Sequence, residues 1–427
     1  MSRPLKILQL TTFYPPYNIG GSGMYVYRLA HTLGEAGHQV DVIHCIDSYR
    51  FVHGAEPESG YASHPNVHLH GLQSGYGLLS PLLSHQTGRP FLKQKAIEEI
   101  VQRNPPDVIH FHNISLFGPE ILRLKPHAGP VVKLYTSHDH WLYCPTMTLW
   151  KFNSRLCEKP ECLRCTLISK RPPQLWRYTN LIEECAKEVD LFVAPSRFTA
   201  SMHASRGFSQ PVKYLPLVIE PEPAAANSVR PHARPYFLFV GRLELVKGLQ
   251  TLIAVWDKVP DADLLVVGTG RYEGTLRGMA AANPRIRFLD KRSPAEIAPL
   301  LDHCLACVVP SIYYETSPTV VIEAFARKVP VIARDLGGLT ELLSDSGGGI
   351  LYRSDDELLA ALSRLAGSPA LREELGGSGY RLYTQRWSRK AQLEFYFDAL
   401  RETAMRKYGF IPWEREREGA SEISSGQ

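Results

Sequence analysis

The sequence has no run that approaches the ~20 apolar residues of a membrane-spanning helix. It does not open as a secretory signal either. Lys6-Ile7-Leu8-Gln9-Leu10 is short and Pro15-Pro16 soon follows, with no adequate apolar stretch between. The expectation is a chain that starts directly in folded structure, with the cytoplasm as its default location. Cysteine is sparse, eight in 427 residues, so the chain is not a disulfide scaffold. In a reducing compartment, clustered cysteines suggest metal instead. No excess of one charge stands out: the net charge is +5 and the pI is near 8.7. That bias is too mild for nucleic acid, and no nucleic-acid-binding motif is present. It suits anionic ligands such as nucleotide diphosphates, or an anionic membrane surface.

What is present is an ordinary globular balance, 44% apolar and 21% charged. The length exceeds one typical core and suits two domains of about 200 residues each. In the first half, the apolar run Lys6–Leu10 ends in a turn-rich loop, a helical pattern covers Met24–Glu35, and Val40–His44 follows as the next run. Strand–loop–helix–strand order implies parallel strands. Further runs read as strands at Val67–Leu72, Asp107–Phe111, Val132–Thr136, Leu191–Ala194 and Val212–Leu215. A Pro- and Ala-rich break follows, and the alternation restarts at Tyr236–Val240. The expected architecture is α/β: two doubly wound domains facing across a cleft, spanning 1–222 and 236–385, joined by a linker over 223–235. Leu393, Phe397, Leu400 and Ala404 share a helical face, so a long helix is expected within 386–410. Residues 411–427 read as a disordered tail. A ligand belongs in the crevice at the carboxyl ends of the strands.

Three loops carry chemistry. Gly20-Gly21-Ser22-Gly23 precedes a helix, where glycines let backbone approach a phosphate and the helix end offers free amides. Val26 stands where a dinucleotide fingerprint has its third glycine, so the loop reads as a phosphate cradle or as a plain tight turn. In Gly241-Arg242 to Lys247-Gly248, two cations five residues apart can reach one pyrophosphate, each bond contributing about 1.5–3 kcal/mol; two solvated loop charges are the bland alternative. Densest is Pro310 to Ala324. Ser317-Pro318 reads as an N-cap followed by Pro at the first helical position. The Thr319 and Val320 amides would then face the crevice. Glu315 and Glu323 are eight residues apart; one can accept hydroxyl protons from a donor sugar and the other from a ribose. The bland reading makes both acids surface residues.

These residues resemble the retaining family 4 glycosyltransferases, which have the GT-B fold. The resemblance covers about residues 4–400 in order: Gly20-Gly21, Gly37-His38-Gln39-Val40, Thr136-Ser137-His138-Asp139, Pro195-Ser196-Arg197-Phe198, Gly241-Arg242 to Lys247-Gly248, Val267-Gly268-x-Gly270, Glu315-x7-Glu323 and Gly337-Gly338-x-x-Glu341. Each element is weak alone; the ordered set is specific. The resemblance implies a nucleotide-sugar donor, with Arg242 and Lys247 on the diphosphate, Glu323 on the ribose and Glu315 on the sugar. It places His138 near the sugar across the cleft, and Gly20, Gly21, Ser317, Thr319, Val320, Gly241 and Gly268 about the donor. The C-terminal helix would cross back onto the first domain. It implies transfer of a hexose from a UDP- or GDP-sugar to a glycan or lipid-linked acceptor, with retention, no catalytic metal, and a role in cell-surface polysaccharide or glycolipid synthesis. The architecture is shared by nucleotide-sugar 2-epimerases, and a non-catalytic nucleotide-sugar-binding protein is a further alternative.

Some positions depart from the pattern. Leu217-Val218-Ile219-Glu220 stands where Asn-Gly-x-Asp is frequent, Lys328 where glycine is common, and Lys291 where a glycine is usual near the base. Beyond the pattern, Cys144, Cys157, Cys162 and Cys165 follow His138-Asp139 closely. Four thiolates at such spacing suit structural zinc, with free reduced thiols as the alternative. Cys304 and Cys307 read as core. Lys170-Arg171 and Trp176-Arg177-Tyr178 mix basic and aromatic residues; they form either a solvated segment or a peripheral contact with the inner membrane face, where a lipid-linked acceptor would lie.

Overall fold

The structure is a computed structural model that describes residues 3–414 other than 55, 58, 59, 128, 218, 222–229 and 260. Two parallel sheets organise it. The first uses β1 (Lys6–Leu10), β2 (Gln39–Cys45), β3 (Val67–Leu72), β4 (Val108–Phe111) and β5 (Val132–Thr136). A two-residue-per-strand hairpin, β6 (Trp150–Lys151) and β7 (Arg155–Leu156), stands apart; β8 (Leu191–Ala194) and β9 (Val212–Tyr214) then complete the sheet. The spatial order is β3-β2-β1-β4-β5-β8-β9. The second sheet uses β10 (Tyr236–Val240), β11 (Asp263–Val267), β12 (Ile286–Phe288), β13 (Cys307–Val309), β14 (Val331–Arg334) and β15 (Gly349–Tyr352), in the order β12-β11-β10-β13-β14-β15. Every ladder in these two sheets is parallel. In both, the order reverses beside the first strand. A doubly wound sheet opens its ligand crevice at that reversal.

The strands are apolar runs because helices cover both faces. Ile7, Val40 and Val108 pack beneath Leu29 and Leu33 of the helix Gly21–Glu35, whereas Leu8, Leu10, Ile109 and Phe111 face the opposite side. The same period-two division sends Leu238 one way and Phe237 and Phe239 the other. Cys307 is fully buried in this core beside the half-buried Cys304, as their run suggested.

The long C-terminal helix runs Arg389–Tyr408 and returns to the first sheet. Tyr408 donates its hydroxyl to the Val131 carbonyl at 2.8 Å, Lys407 pairs with Asp190 at 2.8 Å, and Phe397 packs on His38. One hydrophobic cluster therefore includes Leu29 and Val108 from the first domain, Val309 from the second sheet, and Trp387 and Leu400 from the returning segment.

Two local expectations change. The helix over the acids begins at Thr319 with Pro318 itself as its cap, one residue later than the Ser317 cap expected; no side chain caps it. The strand β15 went unread. It is four residues long and opens on Gly349, where a Cβ would stand 2.0 Å from the Val331 carbonyl oxygen. Part of the expected linker and most of the expected tail fall outside the described residues.

Candidate functional site

The reversal in the second sheet lies between β10 and β13. The loops leaving those strands hold residues 241–248 and 310–318, so two segments distant in sequence become neighbours at one end of the sheet. Gly248 makes the approach possible: its φ is +74°, and a Cβ there would stand 2.0 Å from the Pro310 carbonyl oxygen. Gly268 similarly leaves room for the Gly241 carbonyl oxygen, 1.9 Å from where its Cβ would be. Gly241 and Gly268, both expected at the donor site, thus pack strand ends together.

At this junction Lys247 Nζ lies 2.7 Å from Glu315 Oε1. Ser311 Oγ donates to the same oxygen at 2.6 Å, and Tyr313 donates its hydroxyl to Glu315 Oε2 at 2.9 Å. Lys247 also sits over the Tyr313 ring, 5.3 Å from its centroid. Glu315 is buried, a position that is costly for a carboxylate unless its oxygens are satisfied. Burial would raise its pKa, but Lys247 and the two hydroxyls outweigh that and hold it below the usual range. Burial likewise works against the Lys247 charge, and Glu315 reverses the balance. Both groups are therefore charged at neutral pH.

Arg242 stands at the other end of the same loop. It is exposed and has no hydrogen-bond or ion-pair partner among the described residues. Glu323 lies in the helix Thr319–Ala326 and pairs with Arg28 of the first domain at 3.0 Å. A helix starting at Thr319 leaves the Thr319 and Val320 amides with no carbonyl one turn back. Ser317 Oγ is buried at this end without a hydrogen-bond partner among the described residues.

The first domain answers across the cleft. Gly20 caps the helix Gly21–Glu35, and the space beside both Gly20 and Gly21 is open. His138 follows β5. Its ring meets His112 at 3.0 Å between Nε2 and Nδ1, and His112 in turn lies against His110. Burial drives the His138 pKa down to about 3 and lowers both its neighbours, so the row is neutral at physiological pH. Asp139 accepts from the Trp141 amide at 2.8 Å, and burial pushes its carboxyl up to about 6.

Several contacts close the two halves on each other. Thr316 donates its hydroxyl to the His138 carbonyl at 3.0 Å, and His140 Nε2 lies 3.3 Å from the Tyr314 carbonyl oxygen. Glu341 accepts from the Arg197 and Phe198 amides at 3.0 and 2.7 Å. The Pro195–Phe198 and Gly337–Glu341 elements, separate in sequence, thus meet as acid and helix start. Arg28, Ser311 and Tyr313 were given no role from sequence, and Asp139 stood only as a member of the Thr136–Asp139 element. Ser311 and Tyr313 stand in the segment that drew attention, four and two residues before Glu315; Arg28 lies mid-helix and carries no local signal.

The four clustered cysteines converge. Cys144, Cys157, Cys162 and Cys165 line one cavity together with Thr146, Lys151 and Glu161. As placed, no three His, Cys, Asp or Glu side chains stand at metal-holding distance among the described residues. Lys151, itself buried, bonds Glu161 and the Lys159 carbonyl and ties this loop together. No helix of the described residues is long and apolar enough to cross a membrane.

Solved glycosyltransferases share this arrangement of two sheets and a returning helix, and the fold is GT-B. Sucrose-phosphate synthase of Thermosynechococcus elongatus superposes with a TM-score of 0.72 at 21% identity, covering 93% of this chain and 98% of that one. Anabaena HepE in complex with UDP-glucose gives 0.62 at 15%, covering 92% and 99%. Residues 19–223 match the family described as Glycosyltransferase Family 4, and residues 234–368 match Glycosyl transferases group 1. The chain belongs to glycosyltransferase family 4. The glycogen synthase of Mycobacterium tuberculosis is 25% identical over 398 residues, covering 86% of this chain and 87% of that protein. A 42.6 kDa protein from the cps region of Klebsiella pneumoniae is 25% identical over 349 residues, covering 79% and 87%.

Proposed function

We propose that this glycosyltransferase transfers a hexose, with retention, from a UDP- or GDP-sugar to a glycan or lipid-linked acceptor in cell-surface polysaccharide or glycolipid synthesis. The observation that carries the reading is the gathering of Arg242, Lys247, Glu315 and Glu323 at one sheet reversal, with the start of the helix Thr319–Ala326 beside them. Two cations and two free amides suit a diphosphate. Two acids suit the hydroxyls on either side of it. The complex of Anabaena HepE with UDP-glucose supports a donor of this class.

On this reading the diphosphate engages Arg242 and draws Lys247 toward it, leaving Glu315 to accept from the sugar hydroxyls while Ser311 and Tyr313 keep it in place. The same cations stabilise the leaving diphosphate, and no catalytic metal is required. The leaving phosphate helps to deprotonate the acceptor at the face it leaves from. Neutral His138 acts as a hydrogen-bonding group toward the sugar, and His112 fixes its ring. A panel of UDP-, GDP- and ADP-sugars tests the reading by nucleotide diphosphate release and donor-induced thermal stabilisation. One donor should respond in the native protein and fail with Lys247→Ala. Silence from the folded native protein across the panel overturns it.

We further propose structural zinc for the cysteine-lined cavity, with the metal drawing the four thiolates inward. Such a staple would fix the loop that follows His138 and Asp139. Protein purified without chelator should carry about one zinc per chain; a metal-free, folded preparation with four reduced thiols ends the idea.

A further inference from the structure

Exposed large apolar side chains concentrate on one part of the first domain. The helix Leu79–Thr87 presents Leu79 and Leu83, four residues apart, and the helix Cys162–Ile168 presents Leu163 and Leu167 at the same spacing. Leu175 and Tyr178, 67% and 61% exposed, stand between them on a single helical turn. The three pieces are joined: Trp176 Nε1 and Gln174 Nε2 both donate to the His85 carbonyl, at 2.9 and 3.4 Å, and the Tyr178 phenol lies at the Leu163 backbone. Exposed aromatic residues continue the patch at Tyr76 and Phe91.

The charge on these segments has one sign. Residues 74–97 and 162–182 contain no Asp or Glu, yet they hold Arg89, Lys93, Lys95, Arg164, Lys170, Arg171 and Arg177; the acids Glu120 and Glu161, outside these segments, pair with Arg89 and Arg164. Arg164, Lys170 and Arg171 are exposed. Leucine at helical spacing, interfacial tyrosine and a fringe in which cations outnumber acids is the chemistry of a surface that settles into the headgroup layer. A second copy fits poorly. A two-fold interface would set this cationic surface against itself.

We propose that this patch docks the first domain onto an anionic lipid bilayer. The bilayer takes the leucines and aromatic rings at its headgroup boundary while Arg164, Lys170 and Arg171 meet lipid phosphates. Its binding is read without any turnover.

Co-sedimentation of the full chain with vesicles tests it, using phosphatidylcholine alone and phosphatidylcholine enriched in phosphatidylglycerol. The native protein should bind the anionic vesicles and leave the neutral ones. Lys170→Glu/Arg171→Glu should weaken binding about tenfold or more, and Leu79→Ser/Leu167→Ser should lose it, while both variants keep the native melting temperature. Failure of the native protein to bind anionic vesicles, or equal binding to both kinds, overturns the proposal. So does a native dimer, seen by light scattering, that Leu167→Ser returns to monomer.

Discussion

Two acids, the buried Glu315 of the second domain and the half-buried Asp139 of the first, titrate in opposite directions. Glu315 is held ionised by Lys247, Ser311 and Tyr313. Asp139 has burial against it, with the Trp141 amide, a long bond from the Asn113 side-chain amide and more distant arginines in its favour, so its carboxyl rises to about 6. The second domain has placed a cation where a charge must be kept; the first has built a neutral surface of histidines and a reluctant acid. Loop lengths follow the same division. Only residues 335–348 separate β14 from β15, whereas residues 137–190 separate β5 from β8.

The largest effect should come from breaking the charged side. Lys247→Ala should lower turnover by about 10²–10³-fold. It should also destabilise the protein by about 3–5 kcal/mol, because Glu315 is left buried and unpaired. Adding Glu315→Gln should recover much of the melting temperature and none of the activity. If the double variant melts as low as the single one, the acid and the cation are not a balanced pair.

The neutral side predicts the reverse. Asp139 has a folded pKa above its unfolded one, so its ionisation opposes folding, and the cost grows as pH rises from about 4 to about 6. Asp139→Asn should therefore stabilise the protein by about 2 kcal/mol at pH 7–8 and by nothing below about pH 4, read as melting temperature across that range. Glu315 has a lowered pKa, so its stabilisation is present above the unfolded value near 4.5 and is lost as pH falls through the folded one. Glu315→Gln should lower the melting temperature at neutral pH, and its deficit should shrink in acid. Parallel pH curves for the two variants would erase the contrast.

Smaller effects sharpen the meeting of the halves. Arg28→Ala removes the partner of Glu323 and should reduce kcat/KM about tenfold, as expected for the loss of one charge-assisted bond. Glu341→Gln should cost about 1 kcal/mol in chemical unfolding, since it weakens the acceptor at the start of the helix Arg197–Ser205. An unchanged unfolding midpoint would show that Ser196, which already accepts from Thr199, suffices there.

Both sheets could be read from sequence because their strands are continuous apolar runs, and most bounds agree to within a residue. Tyr236–Val240 runs as expected and Asp107–Phe111 loses only Asp107. The helix expected over Met24–Glu35 begins three residues earlier, at Gly21, and β15, which opens on glycine, did not register. Within the candidate site, Lys247 and Glu315 were legible because each stands in a dense loop beside a strand end. Their direct pairing was not, since it needs the β10 and β13 loops to meet. Arg28 was invisible for the same reason: its partner lies 295 positions away. The exposed leucines hid differently. Leu79 and Leu83, or Leu163 and Leu167, look like the inner face of a helix until the fold leaves them exposed.

The returning helix Arg389–Tyr408 has a consequence for anyone who would recombine this protein. The helix Arg389–Tyr408 lies on the half that holds β1, so the seam between halves is crossed twice. A graft that exchanges the second half at the Pro-rich break alone would also import a foreign strap, one that must satisfy the Val131 carbonyl and Asp190 of its new host. Chimeras should keep residues 389–408 with the host's own first half, and a library built with a single crossover would discard folds that two crossovers preserve.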